Sequence, residues 1–126
     1  MLRLLLYLSF LYGNTQGKAE TALLPLQNSC SCAQKYPIAG TSFTVYGRLS
    51  NWNGNPAQRI WVIGTRRMLG IRGDTELPDN LAKLLGDFDT EVYGDFTVCP
   101  LTKSQTGVMQ IVCVQSANNL KSKKRR

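Results

Sequence analysis

From Phe43 onward the apolar and polar positions alternate, and the period of that alternation changes along the chain. "FTVYGRL" sets Phe43, Val45 and Leu49 against Thr44, Tyr46 and Arg48, the period of two expected of a strand with one buried face. Asn53-Gly54 signals a two-residue hairpin turn. Pairing about it sets Arg48 opposite Arg59, Tyr46 opposite Trp61 and Val45 opposite Val62. This register keeps Phe43, Val45, Leu49, Ile60 and Val62 on one face, as a one-sided core requires. A slightly longer turn would shift it and part the two arginines. Gly64-Thr65 then turns the chain, and "RRMLGI" brings Leu69 beside Ile60 and Met68 beside Trp61. Arg67 falls on the core side at the strand end, where its head reaches water.

The next stretch, "LPDNLAKLLGDF", is helical in period: Leu77, Leu81, Leu84, Leu85 and Phe88 share a face. Pro78 or Asp79 can start this helix and Gly86 can end it, which places it near residues 79–86. "EVYGDFTVCPLT" and "VMQIVCVQSA" form a last hairpin about a three-residue loop, Gln105-Thr106-Gly107. In that register Ser104 faces Val108, Leu101 faces Ile111 and Cys99 faces Cys113. The order strand, strand, strand, helix, strand, strand predicts a mainly β, OB-like five-stranded barrel with the helix plugging one end. Other small barrels and α+β sheets share this order. The chain shows no internal repeat.

Both ends differ in composition from this middle. Arg3, the apolar run Leu4 to Tyr12 and the small or polar residues after it follow the order of a secretory signal peptide over residues 1–17. The run is about half the roughly 20 residues that span a bilayer, and the competing reading is a buried N-terminal helix. Residues 18–40, with two prolines, read as an irregular arm, and residues 41–119 as the single barrel domain that 126 residues allow. The mature part keeps 14 Lys and Arg against 8 acids, but five of those cations lie in the final "KSKKRR". Residues 120–126 therefore read as a disordered, solvated tail, with binding to anionic lipid surfaces or polyanions as the second reading.

Four cysteines suit an oxidising compartment, so export to the periplasm or outside the cell is the expected localisation. Facing across the last hairpin favours a Cys99–Cys113 disulfide, leaving Cys30 and Cys32 free; the rival is one bond from each of them to a downstream cysteine. The chain has no histidine and Cys-x-Cys is not a usual zinc spacing, so no metal and no cofactor are expected. Without histidine there is no Ser-His-Asp triad or Cys-His pair. Asp87, Asp89, Glu91 and Asp95 could supply a carboxylate pair, yet acids in one loop are commonly a solvated turn or partners of arginine. Phosphate-loop, dinucleotide and nucleophile-elbow motifs are missing from the sequence, and a non-enzymatic protein is expected.

What remains for function is the face turned away from the core. Tyr46, Trp61 and Met68 form a row across the first three strands, with Arg48 and Arg59 on one side and Arg66 with Thr44 on the other. Like charges directly opposed destabilise a strand pair, whereas an anion held between two guanidinium forks reverses that sign. Aromatics beside cations also stack sugar rings or bases. The ligand candidates are therefore Tyr46, Arg48, Arg59, Trp61, Arg66 and Met68, for an anionic ligand, an acidic glycan or an anionic lipid surface, with nucleic acid as a further reading. The plainer alternative packs the aromatics under the N-terminal arm and pairs the arginines with Asp74, Asp87, Asp89 or Asp95. An envelope-associated structural protein held by its basic tail is a second functional reading.

Taken together, "FTVYGRLSNWNGNPAQRIWVIGTRRMLGI", "LPDNLAKLLG", "YGDFTVCPLT" and "MQIVCVQSA" resemble a group of small exported bacterial proteins of unassigned function. The resemblance covers roughly residues 30 to 119. It implies an exported bacterial origin and carries no activity or site residues with it.

Overall fold

Alternation in the sequence becomes five strands and one helix: β1 Phe43–Asn51, β2 Gln58–Val62, β3 Met68–Ile71, α1 Asp79–Leu85, β4 Thr90–Pro100 and β5 Gln110–Lys124. The computed structural model describes residues 30–125. The expected signal peptide and the first part of the arm, residues 18–29, lie outside the described residues. β1 pairs antiparallel with β2 and with β4, β2 with β3 and β4 with β5, while β3 and β5 run parallel. The sheet thus closes on itself in the order β1-β2-β3-β5-β4, the small barrel-like fold expected from the element order. Among the described residues no helix is long and apolar enough to cross a membrane.

The period-two pattern is what fills the ring. Leu49, Ile60, Leu69, Ile71, Val92, Phe96, Val98, Val112, Val114 and Ala117 point inward, and Leu81 and Leu85 of α1 close one end. Phe96 is the largest fully buried side chain. Each of these Val, Leu, Ile and Phe side chains contributes about 1.5–3 kcal/mol through burial. α1 ends at Gly86, which takes φ +56°, a conformation that costs other residues more. Leu84 and Phe88, expected on the buried helical face, are exposed instead. Leu84 lies about 100° around the helix from the buried Leu85, and Phe88 lies beyond Gly86, where the helix has ended.

Two registers differ from expectation. Arg48 faces Trp61, not Arg59, and Arg59 faces Ser50. The first turn spans Trp52 to Ala57 and closes with Trp52 N–H donating to the Ala57 carbonyl at 2.7 Å. A two-residue turn would have put Pro56 into the ladder opposite Asn51, where it has no N–H to give. The shift is an even number of residues, so the inward and outward faces are conserved. In the last hairpin Cys99 faces Cys113 as expected, but Gln105, not Ser104, bridges Val108. The odd residue is absorbed where Leu101 and Thr102 both donate to the Ile111 carbonyl.

The cysteines pair as Cys30–Cys99 and Cys32–Cys113. The Cys99–Cys113 bond expected from facing is not formed, and no cysteine is free among the described residues. The arm decides the pairing: a 3-10 turn over Ser31–Ala33 sets both of its cysteines against that hairpin. Cys32 N–H donates to Gln115 Oε1, and Gln115 Nε2 donates to Ser31 Oγ. Ala33 is buried with Cys99 and Cys113 in a small second core. Two disulfides fit a non-reducing compartment.

The C-terminal stretch is also corrected. Residues 120–124, read as a disordered tail, continue β5, and the last four of them pair with Thr90–Tyr93. Two bulges make this possible: Gln115 of β5 is unpaired between the Val98 and Thr97 rungs, and Asn119 and Leu120 together stand against the single residue Gly94 between the Asp95 and Tyr93 rungs. At the second, Asn119 takes φ +54°, and Leu120 packs onto the core. Gly94 gives it room, since a Cβ there would lie 2.5 Å from Leu120 Cδ2.

Candidate binding face

The outward positions of adjacent strands line up into rows. One row crosses all five: Lys121 faces Tyr93, Tyr93 faces Arg48, Arg48 faces Trp61 and Trp61 faces Met68. Cation and ring alternate along it. At the roughly 4.8 Å spacing of strands the row is about 19 Å long. The register thus brings Arg48, Trp61 and Met68 of the expected face together, with Tyr46 one diagonal away beside Asp95. Arg59 lies in the next row, opposite Ser50 and Gly70. Arg66 does not join them. It lies beyond the end of β2, where Arg66, Arg67, Met68 and the loop Ser104–Gln110 line a separate hollow of about 600 Å³.

Glu91 resolves the question of the two arginines. Its side chain is largely buried, with the residue 9% exposed. Ser50 Oγ and Arg125 Nε each donate to its Oε2 at 3.3 Å, and Arg48 Nε lies 3.6 Å from the same atom. Arg48 also lies over the Trp61 ring, its guanidinium carbon 4.9 Å from the centroid. Arg48 Nε is buried and has no hydrogen-bond partner, because the one carboxylate oxygen is shared between two arginines. Arg59 donates to the Pro56 carbonyl at 2.9 Å and lies over Trp52 at 5.6 Å. Arg125 completes the cluster between Trp52 and Phe88, and donates to the Asn51 carbonyl. The arginines of this face therefore find their partners within the chain, though not among the four aspartates named for them.

The aromatics are not equally open. Trp61 is half-buried and gives its N–H to the Thr65 carbonyl at 2.8 Å. Tyr46 is 54% exposed. The described part of the arm lies at the Cys99–Pro100 end of the hairpin and does not cover it. Tyr46, Tyr93, Asn119, Lys121 and Lys123 line a hollow of about 400 Å³. Neither Lys121 nor Lys123 is ion-paired with a described residue, whereas Lys124 lies 3.8 Å from Asp87.

Three of the four acids considered for catalysis, Asp87, Glu91 and Asp95, are engaged by other side chains. Thr90 Oγ1 donates to Asp87, and this bond together with the Lys124 ammonium holds the Asp87 carboxyl below its ordinary value. Asp95 accepts from Asn119 at 2.8 Å, and Glu91 serves the arginines. The Sγ atoms of Cys32, Cys99 and Cys113 lie within 4.8 Å of one another. They belong to two adjacent disulfides and offer no thiolate to a metal.

Sequence reasoning missed Trp52, Glu91, Tyr93, Lys121, Lys123 and Arg125. Glu91 was legible as one of an acidic run, but its partners depended on the register. The lysines were legible only as members of a charge run. No family model, curated protein or solved structure matches the chain.

Proposed function

We propose that the protein is an exported, non-catalytic binding module that holds an anionic ligand on the outer face of its barrel. The row Lys121–Tyr93–Arg48–Trp61–Met68 carries this reading. It offers positive charge and ring surface together, and its flanking lysines have no acidic partner within the described chain. OB-like barrels commonly bind oligonucleotides or oligosaccharides across their second and third strands, which supports the same face. Export agrees with the disulfides and with the leader-like residues 1–17. The tail-tether reading has less support, since Lys124 and Arg125 are engaged by Asp87 and Glu91.

Titration of the oxidised protein with acidic oligosaccharides, anionic vesicles and single-stranded DNA at two salt concentrations tests this reading by tryptophan fluorescence. Saturable, salt-weakened binding that Arg59→Ala reduces is expected. No response from any polyanion would reject it.

A further inference from the structure

The bulge at Asn119 does more than extend a strand. Without it, β5 would continue the register in which Asn118 faces Asp95, and Leu120 would stand opposite Tyr93 on the outer face. One extra residue reverses the alternation. Leu120 turns inward, and Lys121 and Lys123 turn outward beside Tyr93 and Glu91. The left-handed conformation of Asn119 and the missing Cβ of Gly94 are both needed for this reversal. Asn119 is held in place by its bond to Asp95 at 2.8 Å. What the chain gains is a hollow with two phenol rings, a carboxamide and two ammonium groups.

We infer that this hollow is the anchor of the proposed binding face and takes one acidic sugar unit of an anionic glycan, carboxylated or sulfated. The inference rests on the binding reading above. Its volume of about 400 Å³ suits a single ring with its substituents. Tyr46 and Tyr93 are diagonal neighbours on β1 and β4 and present ring surface and hydroxyls to a pyranose. Lys121 and Lys123 supply compact charges that follow an acid group without demanding forked geometry. A nucleic acid strand asks for something else, a succession of open rings for successive bases. Here the next ring, Trp61, is covered by Arg48 and its N–H is spent on Thr65.

The test titrates the full oxidised chain with a carboxylated hexasaccharide, a sulfated hexasaccharide and an oligothymidylate of equal charge. At least one glycan should bind more tightly than the oligothymidylate. Tyr46→Ala and the double variant Lys121→Ala/Lys123→Ala should each weaken it about tenfold or more, while Arg66→Ala, at the separate hollow, leaves it within about twofold. All four positions are exposed, and circular dichroism verifies the fold of each variant. Glycan binding that Arg59→Ala weakens but the Tyr46 and lysine variants do not would overturn the inference and leave the binding face standing. Equal or tighter binding of the oligothymidylate would overturn it in favour of nucleic acid. Silence from all three ligands would overturn both readings.

Discussion

Glu91 is the residue on which the outer face turns. One largely buried carboxylate answers Ser50, Arg48 and Arg125, on the outer side of the sheet rather than in the core. Removing its charge leaves two largely buried guanidinium groups without their counter-charge, which costs more than the pairs themselves contributed. Glu91→Gln should therefore lower stability by about 1–3 kcal/mol in urea unfolding. An unchanged midpoint would mean the arginines are satisfied by water and rings alone. At this scale the sequence was only partly informative. It identified Arg48, Arg59, Trp61 and Tyr46 as outward neighbours from parity alone. It could not show that Arg48 opposes Trp61, because one proline in a turn decides that register and Asn53-Gly54 concealed it.

Among the elements, β5 shows most clearly how a regular pattern is bent toward a use. Its two bulges re-aim two carboxamides, Gln115 toward the arm and Asn119 toward Asp95. Strand existence and order were legible from periodicity, but a bulge leaves no mark on a charge run such as "KSKKRR". That is why the end of the chain read as a tail. The same hairpin explains the disulfides. Cys99 and Cys113 face each other as the alternation implied, with their Sγ atoms within 4.8 Å, yet each is claimed by the arm. In the double variant Cys30→Ser/Cys32→Ser the two strand cysteines should then bond to each other on oxidation, a geometry that facing Cβ atoms allow. Peptide mass spectrometry would show the cross-linked pair; two free thiols would contradict the register.

Both ends of the described chain, residues 30–125, are fastened back onto the sheet. The arm is fixed to β4 and β5 through the disulfides, and Lys124 and Arg125 reach back to Asp87 and Glu91. Acid should loosen the second of these ties. Asp87 is held below its ordinary value of 3.8, first by the Thr90 hydroxyl and then by Lys124. Asp74 is likewise lowered, first by the Tyr36 hydroxyl. A carboxyl with a depressed native pKa binds fewer protons folded than unfolded, so its contribution is present above about pH 4 and lost as pH falls below it. Asp87→Asn should make the fall of the thermal midpoint below that pH shallower than in wild type. An identical profile would show that the Asp87 contacts do not persist in solution.

The central claim is that the outer rows of the barrel form one ligand surface, and a nitrogen–proton correlation spectrum recorded during titration with an acidic oligosaccharide tests it most directly. Shifts confined to Tyr46, Arg48, Arg59, Trp61, Met68, Tyr93, Asn119, Lys121 and Lys123 are expected. Shifts centred instead on Arg66 and the Ser104–Gln110 loop, or none at saturating ligand, would contradict it.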